Sequence, residues 1–144
     1  MTVLFSPLGL ACGTLYSAIL LTRPARVVVI TSPEAIPHLD STLDAARLFH
    51  THFEWESHVL DDAHSGFRES RVLAQILAGT AGQTNIVNLS GGATALLDCV
   101  RSIADILWRE GREVREVAAI DRRDIFEQRR EPFVLGELIE VPPL

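Results

Sequence analysis

The sequence contains no lysine. All 13 of its basic side chains are arginine, set against 19 aspartates and glutamates, for a formal net charge of -6. That absence excludes chemistry built on a primary amine: the Schiff base, the lysine of a P-loop and the lysine general base. The acidic balance speaks against a broad face for long nucleic acids, which needs clustered positive charge to displace counterions. A small phosphorylated ligand held by a few arginines and backbone amides stays open. Cysteine is scarce as well: Cys12 and Cys99 fall in no Cys-x-x-Cys pattern and cannot build a disulfide framework. Reduced thiols fit a cytoplasmic location. No run approaches the roughly 18 apolar residues of a membrane span, so no membrane partner is expected. The opening MTVLFSPLGLACG has no positive charge ahead of its apolar stretch and does not read as a secretory signal.

What is present is a globular composition, 47% hydrophobic and 22% charged. No repeat, low-complexity segment or boundary divides it, so residues 1–144 are expected to form one domain. Short β-rich runs alternate with longer helical ones. Residues 2–6 read as a strand closed by Pro7 and Gly9, and 14–21 as a helix. RVVVIT at 26–31 is the clearest strand, its consecutive β-branched residues suiting a parallel strand covered on both faces. Ser32 and Pro33 open a helix expected to run to about residue 49, with Pro37 blurring its start. Strands follow at 53–60, 84–89 and 114–120, and helices at 67–77 and along the stripe Leu96, Cys99, Val100, Ile103 and Leu107, the last stopped by Gly111. A polar, arginine-rich link at 121–130 leads to a last extended segment, 132–141. Strand–helix units in this order predict an α/β fold, a Rossmann-like, mainly parallel six-stranded sheet with helices on both faces.

Ligands of such sheets occupy the crevice beyond the strand carboxyl ends, where strand order reverses. If the first strand is central, that crevice lies between the loops after strands one and four. Small residues concentrate in those two loops: Pro7, Gly9, Ala11, Cys12 and Gly13 in one, where Leu8 and Leu10 complete the candidate ligand-binding stretch, and Ser90, Gly91, Gly92 and Ala93 in the other. Each feeds a helix N-terminus, whose free amides favour anions. Phosphate binding through amides, hydroxyls and arginine is one reading; plain turn glycines are the other, since neither loop matches Gly-x-Gly-x-x-Gly or the P-loop.

SPLGLACGTLYSAI leading into RVVVITSPEA, together with NLSGGATALL and DDAHSGFRESRVLAQIL, resembles the CRISPR-associated Rossmann-fold (CARF) domains over essentially the whole chain. The resemblance implies a homodimer that binds a cyclic oligoadenylate, such as cyclic tetra-adenylate, across its two-fold axis in type III CRISPR signalling. It also implies a possible ring nuclease of the standalone kind, in which the ribose 2′-hydroxyl attacks the adjacent phosphate with no metal or other cofactor. The alternative is a sensor or sponge that binds the ring and partners a separate effector. The sequence departs from the family where cleavage is concerned: Ala11 and Cys12 stand at the Ser-Pro pair of the first loop, and Thr94 at the lysine of the fourth. Substitutes are Ser6, Thr14, Thr94 and Arg123 for catalysis, with Ser90, Arg68, Arg71, Arg122 and His64 near the ligand.

Each of these side chains also has a plainer reading. Ser6, Thr14 and Ser90 serve equally as turn or capping hydroxyls, and Cys12 as a packing residue. Asp61, Asp62 and His64 could hold a metal but suit a solvated turn better, and His50 and His52 lie away from the crevice, so no metal is expected. Arg122 and Arg123 could pair with Asp121, Asp124 and Glu127 instead of a phosphate. Trp55 and Trp108 read as core or interface anchors.

Overall fold

The short apolar runs of the sequence become the strands of one sheet, and the amphipathic ones become its covering helices. The computed structural model describes residues 1–143. Its elements are β1 (Thr2–Leu8), α1 (Gly13–Thr22), β2 (Arg26–Thr31), α2 (Leu39–Arg47), β3 (Glu54–Val59), α3 (Phe67–Ala78), β4 (Thr84–Asn88), α4 (Thr94–Arg109), β5 (Val114–Ile120), α5 (Ile125–Arg130) and β6 (Glu137–Val141). The sheet has six strands in the order β3-β2-β1-β4-β5-β6. All neighbours pair parallel except β5 and β6, which are antiparallel. The chain moves outward from β1 to β3, then crosses back to place β4 on β1's other side. Strand order therefore reverses between β1 and β4.

Alternation along the central strands sends side chains into two cores. Val3 and Phe5 of β1 join Val28, Val87 and the buried faces of α3 and α4. Leu4 and Leu8 join Val27, Val29, Ile86, Val117 and the buried faces of α1 and α2. Burial on both faces is why these strands read as unbroken apolar runs. On α4, Leu96, Cys99, Val100, Ile103 and Leu107 form the expected three-four stripe, and all are buried. Burial pushes the Cys99 thiol up to about 12, so it packs as an inert small apolar group.

Three expectations change. The helix expected from Ser32 begins later: Ser32 Oγ accepts the Ala35 amide at 3.2 Å, a 3-10 turn follows at Ile36–His38, and α2 starts at Leu39. Pro37, with no amide hydrogen, favours that tighter start. The arginine-rich link contains α5, because the Asp124 carboxylate accepts the amides of Phe126 and Glu127 at 2.9 and 3.1 Å. The last strand is shorter than 132–141, since the Gly136 amide leaves the ladder to donate to Ser17 Oγ at 2.9 Å. Neither tryptophan lies in the core; Trp55 is 39% and Trp108 61% exposed. No described helix is long and apolar enough to cross a membrane.

Ile103 is fully buried at the centre of the α3–α4 core. Ile103→Ala should lower unfolding stability by about 2–5 kcal/mol, read from urea denaturation at constant slope.

Candidate functional site

β1 and β4 pair in parallel, Phe5 opposite Val87, so the turns that follow them leave the same edge of the sheet side by side. They meet more closely than side chains allow. A Cβ on Gly9 would lie 2.3 Å from the Gly91 carbonyl oxygen, and one on Gly92 2.7 Å from Pro7 Cβ. Gly91 also holds φ +85°, a left-handed conformation, and a Cβ there would come within 1.9 Å of Thr14 Oγ1. Glycine at these positions is thus a requirement of the contact between two turns and not only of each turn alone.

Beneath the contact lies a buried polar bridge. Asn88 Nδ2 donates to Ser6 Oγ at 3.0 Å, and Ser6 Oγ donates to the Pro7 carbonyl at 3.0 Å. Asn88 Oδ1 accepts the Ser90 amide at 3.1 Å and the Ser90 hydroxyl at 2.5 Å. Ser90 Oγ in turn accepts the Ala119 amide at 2.9 Å, which ties the turn to β5. A third loop joins from the side: the Ala95 amide in the first turn of α4 donates to the Ala63 carbonyl at 2.8 Å.

Above the bridge the backbone is free to donate. Among the described residues, the amides of Gly91, Gly92, Ala93 and Thr94 make no internal hydrogen bond, nor do those of Leu10, Ala11 and Cys12. No side chain caps α1 or α4. Two uncapped helix starts and these unpartnered amides thus lie on adjacent turns, a cradle of donors that can receive an anion without a formal positive charge. The nearest acid on α4, Asp98, is neutralised. Arg71 Nη2 donates to its Oδ1 at 3.0 Å and Ser70 Oγ to its Oδ2 at 2.8 Å. The Arg71 guanidinium foremost, with Ser70 adding, holds the Asp98 carboxyl below its ordinary range against the opposing effect of partial burial.

The side chains proposed for the site divide. Gly9, Gly91, Gly92, Ala93 and Thr14 come together at the contact, with Leu10, Ala11 and Thr94 exposed around it. Ser6 is a correction: it is fully buried and its hydroxyl is engaged with Pro7 and Asn88, because β1 continues past it to Leu8 and leaves it inside the sheet instead of at the strand's end. Leu8 is likewise buried in the core, its carbonyl accepting the Thr31 hydroxyl at 2.7 Å, and Cys12 packs against α1 with 7% exposed. Pro7 is buried under Gly92. Thr14 Oγ1 donates to the Ala11 carbonyl at 3.1 Å.

Arg123 is held by the Asp121 carboxylate, with Nη2 at 2.7 Å from Oδ2, and by the Glu131 carbonyl, while Arg122 pairs with Glu137. The expected pairing of these arginines with Asp124 and Glu127 is replaced by those partners. His64 is exposed in the third loop, where the Asp62 carboxylate accepts the amides of His64 and Ser65 and the Ser65 hydroxyl. Arg68 is exposed and, among the described residues, forms no ion pair. Asn88 escaped notice in the sequence; its signal was a polar residue closing an apolar strand two positions before Ser90.

A wider depression, about 1000 Å³, flanks α4 beside β5 and β6. Its charged walls mix acid and base, Arg101 with Asp105 and Arg115 with Glu116 and Glu140, so it offers no converging donors. The unpartnered backbone donors lie instead at the turns.

No family model and no curated protein matches the sequence. Among solved structures, the fold is similar to that of Can2 from Sulfobacillus thermosulfidooxidans in complex with cyclic tetra-adenylate. The TM-score is 0.65 at 10% sequence identity, over 83% of this chain and 32% of that one. The chain thus spans about a third of Can2's length, and the likeness is one of fold, an α/β Rossmann-like sheet.

Two outcomes test this geometry. Gly9→Ala places its methyl against backbone that no rotamer change can move, and should cost about 1–3 kcal/mol in urea denaturation. Gly111→Ala, at φ +70° with nothing within 4 Å, should cost only its left-handed strain, about 1–2 kcal/mol. For Asp98, a depressed folded pKa means stability present above the unfolded carboxyl value and lost as pH falls through the folded one. Asp98→Asn should therefore be less stable than the parent near pH 6, and the gap should close below about pH 4.

Proposed function

We propose that the chain binds a cyclic oligoadenylate, the tetramer foremost, as a homodimer acting in type III CRISPR signalling. The observation that carries the reading is the contact between Gly9 and Gly91 at the point of strand reversal, with the unpartnered amides of both turns beside it. A cyclic oligonucleotide is a closed ring of phosphates with no terminal charge to grip, and a cradle of amides suits a bridging phosphodiester. Two-fold symmetry would present two cradles to a ring whose nucleotides repeat. The resemblance of the loops to CARF domains supports the same ligand class, as does the fold shared with a structure that contains cyclic tetra-adenylate.

Ring cleavage follows from the reading by alignment. A ribose 2′-oxygen attacks the adjacent phosphorus and the 5′-oxygen leaves, taking up a proton. The products are a 2′,3′-cyclic phosphate and a 5′-hydroxyl, with no water consumed. The amides of Gly91, Gly92 and Thr94 would stabilise charge on the phosphoryl oxygens as it develops, and the exposed Thr94 hydroxyl is the side-chain donor nearest to them in sequence. Arg68 is an uncommitted cation on the neighbouring α3. A specific observation favours the second reading, a non-catalytic sensor or sponge. The hydroxyls of Ser6, Ser90 and Thr14 already donate inside the protein, so few side chains remain for the chemistry.

Calorimetry should detect tight binding of cyclic tetra-adenylate and none comparable for ATP or NAD; equal affinity for all three would overturn the ligand class. Incubation with the ring in chelator should yield linear di-adenylate ending in a 2′,3′-cyclic phosphate. Intact ring after hours at saturating protein would establish the sensor reading. If cleavage occurs, Thr94→Ala should slow it by about 100-fold while changing the dissociation constant far less.

A further inference from the structure

Asn88 is a buried polar residue whose amide joins the turn after β4, through Ser90, to β1, through Ser6. It is fully buried, and an apolar side chain there would meet the same neighbours without the need for partners. The orientation of its amide is fixed by the Ser90 N–H, which can only donate. Oδ1 must face Ser90 and Nδ2 must face Ser6. The acceptor end shapes the turn after β4, since an Asn oxygen bonded to the amide two residues on is an Asx turn, and that turn places Gly91 in its left-handed conformation. The donor end reaches β1, where Ser6 passes the connection to the Pro7 carbonyl directly before the first turn. Ala119 anchors the far side through Ser90.

We infer that Asn88 is a positioning residue that clasps the two turns into one cradle, setting the separation of the Gly9 and Gly91 backbones and hence affinity for the ring phosphates. It touches no ligand atom; it acts through Ser6 on one side and Ser90 on the other. The inference rests on the proposed ring-binding reading for its ligand, though not for its geometry. Thr14 and Thr94 lie on the rim and would alter contacts directly. Asn88 and Ser6 lie beneath and would alter only where the amides stand.

The test uses the full chain as Asn88→Ala, Ser6→Ala and the double variant, each shown folded by circular dichroism and thermal melting. Calorimetry with cyclic tetra-adenylate should give about 3–10-fold weaker binding for Ser6→Ala and more than about 10-fold for Asn88→Ala. The double variant should match Asn88→Ala, because both single changes break one bridge. Multiplying effects, or folded Asn88→Ala binding within about twofold of the parent, would overturn the inference.

A ligand-free measurement separates this from failure of the ring-binding reading itself. In amide NMR spectra, Asn88→Ala should shift Gly9 on the opposite turn as well as Gly91 and Gly92, leaving Gly111 in place. Ser6→Ala should shift Gly91 as well as Gly9. If the parent binds no ring, the function falls and these shifts still judge the clasp. If Gly9 stays unmoved in Asn88→Ala, the clasp falls whatever the ligand. Should Asn88→Ala fail to fold, Ser6→Ala, which removes a single hydroxyl, carries both measurements.

Discussion

The approach of one backbone to another at Gly9 and Gly91 is the constraint on which the site depends. Two parallel strands side by side would let their following turns diverge over the helices they feed. Here the turns touch, and the touching demands glycine on both sides. Everything near the contact is subordinate to it: the left-handed Gly91, the Thr14 side chain lying against it, and the buried amide beneath. Such a notch is a place where main-chain donors converge, while in most of the molecule those donors are consumed by the sheet and the helices.

The source of positive potential follows from this arrangement. Arginine supplies all of the permanent cationic side-chain charge of the chain, and two arginines that follow β5 are tied down, Arg123 to Asp121 and Arg122 to Glu137. Arg71 is paired with Asp98. The cradle instead draws on partial charges of uncapped helix starts, which act over one turn and have no side chain to reorganise. In a chain of formal charge -6 that choice favours recognition at contact over long-range capture, since exposed charge is screened beyond roughly 8 Å.

Much of the fold was legible because burial on both faces leaves a strong mark. RVVVIT is β2 without a residue of error, and the stripe of α4 was readable from Leu96 to Leu107. The order reversal between β1 and β4 was expected on the condition that the first strand is central, and the structure meets that condition. What failed was local: Pro37 delayed α2, and Asp124 started a helix inside what read as a polar link. Glycine content pointed to the two loops that touch, since only a small residue fits where backbones meet. Hydroxyl roles were not legible. Ser6 and Ser90 look alike in sequence, yet β1 runs two residues longer than its apolar pattern suggested, through Pro7 and Leu8, and so leaves Ser6 buried within the sheet. The role of Asn88 depended on register between strands far apart in the chain, which a single sequence does not encode locally.

The bond from the Ala95 amide to the Ala63 carbonyl has a further bearing. It fastens the loop after β3 to the opening turn of α4, so that loop is coupled mechanically to the floor of the notch. Any ligand that draws the start of α4 toward itself pulls on that tether, and Asp62, His64 and Arg68 travel with it. The loop after β3 and the opening turn of α4 are thereby fastened to each other, so that a displacement of either one strains the bond between them.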